Sequence, residues 1–365
     1  MIERPKTVLL LIARFEFGGI PIQAFLWSKF LKKNGFHPII LAQYTHDPKY
    51  LELLNNNDLD HGFLNTSNFN GSKKASLFYF YDLINCLQSY KPDFIFPFNK
   101  HLSFHVNLIW RFTSAQKAFF MERNHGIEES ISWRDSFMKY IALLNSSGLI
   151  FNSQTASLYS RFPNKTIVIK NSYRKVVNNS ELDHSTFSFG TEDVVLLHIA
   201  NIVPQKNYHL LLEAWKLLKK KQPNFKLIVI GSDIKNENQS LIEAFNEYGI
   251  HYIGRKSNIS AYLNRADICL LSTHYEGCPN VILEYMDAGK LIAASDIPSI
   301  REVLDSSNHE FLFDNTSPAT FVDKILNICN LSDLDKVKMI ERNKEKLQRD
   351  YSESNYKQII HLLNG

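Results

Sequence analysis

The sequence predicts an α/β protein made of two halves, each organised around a mainly parallel sheet. Three observations lead there. Short apolar runs alternate with segments of helical periodicity along nearly all of the 365 residues. Gly35 and Gly289 stand just past two of the helical segments, where a left-handed residue ends a helix. Residues 176–192 are polar and without period, and the strand–helix rhythm restarts after them.

In the first half, residues 8–13 (VLLLIA) have the composition of a buried strand, and 22–34 follow as a helix with Phe25, Leu26 and Phe30 on its apolar face. A second strand begins at 38–42. Residues 47–74 are rich in Asn, Ser and Gly and predict loops with one short helix at 51–54. Residues 75–90 predict a helix. Strands follow at 94–98, introduced by Pro92 and Asp93, at 118–122, at 149–151 and at 166–170 (TIVIK), the last closing the first sheet. In the second half, strands are expected at 194–199 (VVLLHI), 226–230, 251–253, 268–271 and 291–294. Helices are expected at 208–221, 241–248, 259–266 and 281–288, and residues 318–363 are mostly helical. The domains are therefore placed at 1–175 and 193–345, joined by the linker 176–192, with a cleft between them. Ligands of open α/β sheets sit beyond the carboxyl ends of the strands, so the strand-to-helix loops are where function is sought.

Composition narrows the class. Hydrophobic residues make up 44% and charged residues 21%, which allows a core and excludes a disordered chain. Forty-one Lys and Arg against 37 Asp and Glu is too mild an excess for a nucleic-acid binder. Cys86, Cys269, Cys278 and Cys329 form no CxxC, which argues against a disulfide scaffold or zinc ribbon and fits a reducing compartment. The run 8–13 is too short for a signal-peptide core, and no stretch approaches the roughly 20 apolar residues that span a bilayer. The expectation is a soluble, cytoplasmic protein.

Three loops carry chemistry. The first follows strand 8–13 and holds Gly18 and Gly19 ahead of a helix, an arrangement that offers backbone N–H groups to an anion. It is not GxGxxG, so the dinucleotide-binding fingerprint is absent. The second, 200–207, contains Asn201 and Lys206; a lysine here can meet a phosphate as a mobile point charge, or remain a solvated surface residue. The third, EGCPNVILE at 276–284, follows strand 268–271. Glu284 lies one turn into the helix, on the face of Asn280, and helical side chains lean toward the N-terminus. It therefore points back toward whatever Glu276 and the helix start hold. Free carboxylates near backbone donors suit sugar hydroxyls.

At these residues the chain resembles the retaining, nucleotide-sugar-dependent glycosyltransferases of GT-B fold often called family 4. Glu276 and Glu284 match the Glu-x7-Glu motif of that family within EGCPNVILEYMDAGK, and 201–207 resembles its G-R-x-x-x-x-K-N stretch. Phe17, Gly18 and Gly19 resemble its N-terminal glycine loop, His125 and Gly126 its sugar-facing histidine, and Lys170, Asn171 and Ser172 the Asn-Gly that closes its first domain. The resemblance spans nearly the whole chain and is strongest over 194–304. It implies two Rossmann-like domains facing each other across a cleft, the first binding the acceptor and the second the nucleotide sugar, with residues 346–365 packing back on the first domain. It implies that Glu276 binds the donor sugar and stabilises the transition state, that His125 contacts that sugar, and that Glu284 holds the ribose. Lys206 would neutralise the diphosphate, aided by Gly18, Gly19 and the helix start formed by Gly277, Cys278, Pro279, Asn280 and Val281. Arg255 falls where the family forms its nucleobase pocket.

One departure stands out. The family has Arg where this chain has Asn201, so a neutral amide replaces a bidentate clamp and more of the diphosphate charge falls to Lys206, with Arg14 or Arg255 as compensating cations. No metal is expected: Asp58 and Asp60 have the letters of an Asp-x-Asp clamp but sit in the irregular segment. Lys29, Lys32, Lys33, Lys73 and Lys74, beside the aromatic run 78–81, read as a solvated helix face with core aromatics or, in the alternative, as a patch for peripheral contact with the inner membrane.

The expected activity is transfer of a hexose or N-acetylhexosamine, with retention, from a nucleoside-diphosphate sugar (UDP-linked) to a glycan or lipid-linked glycan. Such chains commonly serve bacterial surface polysaccharide synthesis. No separate cofactor and no nucleic-acid partner are expected. A nucleotide-sugar 2-epimerase and a non-catalytic nucleotide-sugar binder are the alternatives.

Overall fold

The computed structural model describes residues 4–66, 77–123, 133–175, 189–233, 236–256 and 258–364. The chain divides into two compact units, residues 1–172 with 353–365, and residues 173–352.

The first unit contains β1 (Thr7–Phe15), α1 (Gly19–Lys33), β2 (His37–His46), α2 (Pro48–Asn55), β3 (Asp60–Phe63), α3 (Leu77–Ser89), β4 (Phe94–Pro97), α4 (Lys100–Ile109), β5 (Lys117–Glu122), α5 (Trp133–Asn145), β6 (Gly148–Phe151), α6 (Gln154–Ser157) and β7 (Thr166–Val168). Its strands are parallel, in the order β3-β2-β1-β4-β5-β6-β7. Both faces of β1 are covered, which is why it reads as an unbroken apolar run. Val8, Leu10 and Ile12 pack with Phe25, Trp27 and Phe30 of α1, whereas Leu9 and Leu11 pack with Leu83 and Leu87 of α3 and Val106 of α4. Strand β3 lies inside the segment expected to be irregular. It is an edge strand, paired with β2 alone and half-exposed, so it needs no apolar run to form.

The second unit contains β8 (Val194–Ile199), α7 (Tyr208–Lys221), β9 (Phe225–Ile230), α8 (Gln239–Glu247), β10 (His251–Tyr252), α9 (Ser260–Arg265), β11 (Ile268–Leu271), α10 (Asn280–Asp287), β12 (Leu291–Ser295), α11 (Pro298–Val303), β13 (Leu312–Phe313), α12 (Pro318–Cys329) and α13 (Asp333–Asp350). Its parallel sheet runs β10-β9-β8-β11-β12-β13. Leu196 and Leu270 face α7 and α12, while Leu197 and Leu271 face α9 and α10. Helix α10 ends where expected: Gly289 takes φ +65° just past it. The fold is the α/β class with two parallel-sheet, Rossmann-like units.

The chain returns to the first unit at Glu353, since α13 is one helix through Asp350; α14 (Lys357–Asn364) then packs Ile359 and Leu363 against the core that holds α1. A buried polar latch fixes this return. Tyr356 donates its hydroxyl to Gln23 Oε1 at 2.6 Å, Gln23 Nε2 donates to the carbonyl of Ser172 at 2.7 Å, and the Ser172 N–H reaches the Tyr356 hydroxyl at 3.1 Å.

Among the described residues, the lysines and aromatics considered for membrane contact lie apart. Helix α1, with Lys29, Lys32 and Lys33, lies on one face of the sheet and α3 on the other. Tyr79 is buried, bonded to His105 Nδ1 at 3.0 Å, leaving Phe78 and Tyr81 exposed; Lys73 and Lys74 lie outside the described residues. Asp58 and Asp60 do not form a clamp either: Asp60 begins β3 and pairs with His37 at 2.6 Å, while Asp58 occupies a left-handed turn with φ +49°. No cluster of three or more metal-ligating side chains occurs among the described residues. All four cysteines are free thiols.

Candidate active site

In the second sheet, β8 leads outward to β9 and β11 leads outward to β12, so the strand order reverses between β8 and β11. At such a switch point the two following loops diverge and leave a crevice at the carboxyl ends of the strands. Lys206 comes from the loop after β8 and Glu276 from the loop after β11, and the two side chains form an ion pair there, 18% and 10% exposed. Glu276 Oε1 also accepts from Thr273 Oγ1 at 3.0 Å.

The two loops are laced together. Gln205 Nε2 donates to the carbonyl of Tyr275 at 2.6 Å, and the His274 N–H donates to the carbonyl of Gln205 at 2.8 Å. Ser272 Oγ donates to the carbonyl of Lys206 at 3.0 Å. Beneath the pair lies His198, fully buried on β8, 3.2 Å from Ser272 Oγ. Burial, with the positive charge of Lys206 nearby, holds its imidazole down at about 3. His198 is thus neutral and adds no charge against the lysine. Gln205, Ser272, Thr273 and His198 escape sequence reading; the Ser-Thr step directly after β11 was the available signal.

Asn207 follows Lys206 with φ +44° and caps α7, its side chain accepting from the Leu210 N–H at 3.4 Å. Asn201 is exposed, and its Oδ1 accepts from the backbone N–H and the hydroxyl of Ser232 at 3.2 and 3.1 Å, tying the loop after β8 to the end of β9. Gly231 makes that close approach possible: a Cβ there would stand 1.8 Å from the carbonyl oxygen of Ala200.

Helix α10 opens at Asn280 behind Pro279 with no side-chain cap. Cys278 is buried in the core with Ile282 and Tyr351, and Val281 packs against the same cluster. The Cys278 side chain is core-directed, so a donor could meet it only through backbone. Gly277 and Pro279 are buried. Glu284 is partly exposed but enclosed deeply enough that burial raises its carboxyl to about 7, against the pull of Arg174.

Arg255 is exposed and follows the edge strand β10, two strands from β8. Gly18 and Gly19 lie in the first unit, at its own switch point between β1 and β4; Gly18 is extended, at φ 172°, so its dihedral does not demand glycine. His125 lies outside the described residues.

Residues 179–346, which contain the whole cluster, match the family model of the glycosyl transferases group 1. The chain is 22% identical over 249 residues to an uncharacterised glycosyltransferase of Methanocaldococcus jannaschii, a match spanning 61% of the length of each. It is 23% identical over 315 residues, 84% of this chain and 77% of the relative, to an N,N'-diacetylbacillosaminyl-diphospho-undecaprenol alpha-1,3-N-acetylgalactosaminyltransferase of Campylobacter jejuni. Among solved structures, Anabaena HepE, crystallised with UDP and glucose, superposes with a TM-score of 0.80 at 15% identity, over 98% of this chain and 99% of that one. A glycosyltransferase of Rickettsia africae gives 0.78 at 18% identity, over 99% and 98%. The fold is that of GT-B glycosyltransferases.

Proposed function

We propose, from the family match over residues 179–346, that this chain is a retaining glycosyltransferase. It takes a hexose or N-acetylhexosamine from a nucleoside-diphosphate sugar, UDP-linked as in the HepE complex, and passes it to a hydroxyl of a lipid-linked glycan, the acceptor class named for the Campylobacter relative. The observation that carries the reading is the Lys206–Glu276 pair at the switch point, with Glu284 one turn into the adjoining helix.

In this reading Lys206 keeps one N–H on Glu276 and turns the others to the diphosphate, so the leaving group meets a fixed cation and the uncapped start of α10. Glu276 faces the donor sugar, where a carboxylate stabilises positive charge developing at the anomeric carbon. The bond from that carbon to the diphosphate oxygen breaks, the bond to the acceptor oxygen forms on the same face, and the acceptor proton passes to the leaving diphosphate. Lysine and backbone dipoles supply the charge a metal supplies in other transferases, which makes metal-independent transfer the expectation. Glu284 accepts from the ribose hydroxyls. The roles of Gly18, Gly19, His125 and Arg255 at the donor belong to the same proposal. So do a place in bacterial surface polysaccharide synthesis, a cytoplasmic location and peripheral membrane contact.

The test is to incubate the protein with UDP-sugars, with and without a lipid-linked acceptor, and to follow UDP release and the product linkage. Acceptor-dependent release with an α-linked product from an α-linked donor is expected. Release of UDP without any acceptor would favour the 2-epimerase reading, and binding without release the non-catalytic one.

A further inference from the structure

Ser272 and Thr273 directly follow β11, and each holds one member of the switch-point ion pair. Ser272 Oγ donates to the carbonyl of Lys206 at 3.0 Å, and Thr273 Oγ1 donates to Glu276 Oε1 at 3.0 Å. The dipeptide is itself anchored to both neighbouring strands. The Thr273 N–H donates to Ser295 Oγ on β12 at 2.9 Å. On the β8 side, Ser272 brings its backbone N–H to 3.4 Å and its hydroxyl oxygen to 3.2 Å from one atom, Nε2 of His198. His198, Ser272, Thr273 and Ser295 are all fully buried.

A histidine is a costly residue for this core position. The rest of β8 is apolar, and the imidazole packs edge-on to Tyr208 at 5.0 Å. Its Nδ1 is buried without a hydrogen-bond partner, a penalty that a leucine would not carry. What the ring supplies in return is Nε2, whose partner is Ser272. The consequence falls on Lys206. A lysine carries its charge on a flexible four-carbon stem, so the place of the ammonium depends on both ends of the residue. Glu276 holds the ammonium end. Ser272 holds the main-chain end, with the Lys206 N–H donating to the carbonyl of Val203 at 2.9 Å.

We propose that His198 is a positioning residue for the transfer, fixing the main chain of Lys206 through Ser272 so that the ammonium meets Glu276 and the donor diphosphate in one geometry. The diphosphate half rests on the donor reading of Lys206 in the proposed function; the Glu276 half does not, and the test has an arm for each. In the first arm, isothermal titration gives the affinities for UDP and for uridine. Ser272→Ala and His198→Leu should each weaken UDP about tenfold and leave uridine unchanged. Gln sets an amide as many bonds from the backbone as Nε2, so His198→Gln should return UDP affinity to within about threefold of the wild type. The two residues act in series. The double variant of Ser272→Ala with His198→Leu should therefore lose no more than either alone, and neither should weaken UDP further once Lys206 is replaced by Met. Should His198→Leu fail to fold, Ser272→Ala carries both arms. The second arm needs no nucleotide: the thermal coupling between Lys206→Met and Glu276→Gln should fall at least about twofold in the Ser272→Ala background. Unchanged coupling there overturns the proposal. So does a loss of UDP affinity that persists with Lys206→Met, or one that His198→Gln leaves in full. A wild type that binds UDP no better than uridine strikes the donor reading instead, and the coupling then decides the positioning by itself.

Discussion

Glu276→Gln probes the switch-point cluster most directly. The substitution keeps the shape of the side chain and its contact with Thr273, but it leaves the ammonium of Lys206, 18% exposed, without its counter-charge. Removing one member of a buried ion pair costs about 3–5 kcal/mol. Because both side chains keep a little solvent, the lower figure, about 3 kcal/mol, applies here. For a unit of this size that lowers the melting temperature by about 6–12 °C. Lys206→Met should cost a similar amount by stranding the carboxylate. The double variant removes both charges and should recover most of the loss, since neutral replacement of a buried pair is often nearly neutral. Scanning calorimetry of the four proteins gives the coupling as a double-mutant cycle. Turnover should separate from stability: Glu276→Gln loses roughly 10²-fold, and the double variant does not regain it. Single variants that melt with the wild type, with no coupling in the cycle, refute the pair. A double variant that recovers turnover along with stability refutes a chemical role for the carboxylate.

Three further outcomes are expected. Glu284, with its carboxyl raised to about 7, should accept from the ribose hydroxyls more strongly, and with both oxygens, once ionised, so nucleoside diphosphate affinity should rise as pH climbs through 7. The unliganded protein should move the opposite way: the folded state holds this proton and the unfolded state releases it, so this contribution to stability is lost between about pH 4.5 and 7 as pH rises. Isothermal titration across pH and Glu284→Gln, which should flatten both trends, check this. Gly231→Ala forces a Cβ onto the Ala200 carbonyl and should destabilise by at least about 3 kcal/mol; a wild-type denaturation midpoint would show that the β8 and β9 ends do not meet as described. Asn201→Arg removes the acceptor for Ser232, at about 1 kcal/mol, while adding a guanidinium beside the loop of Lys206. Tighter nucleoside diphosphate binding with slightly lower stability is expected, and weaker binding would mean the loop tie matters more than the charge.

The amino-acid sequence by itself determined the strand–helix rhythm, because a parallel strand covered on both faces reads as a near-continuous apolar run, as residues 8–13 of β1 and 194–197 of β8 do. It determined α7 and β11 to the residue, and it marked the loops after β8 and β11 through Lys206, Glu276 and Glu284. Tertiary structure decided what local pattern cannot carry. Strand β3 exists because β2 offers it a partner, not because its residues are apolar. Lys206 and Glu276 are 70 residues apart, and only the strand order between β8 and β11 makes them counter-ions. From the chain alone, Glu276→Gln is expected to leave folding nearly untouched; the pairing is what makes it costly. Asn201 reads as a weakened clamp in sequence, yet in the fold it is an acceptor for Ser232, since the end of β9 is carried against it by the sheet. The two faces of the first sheet likewise separate Lys29, Lys32 and Lys33 from the aromatic run on α3, because successive side chains of β1 point to opposite sides.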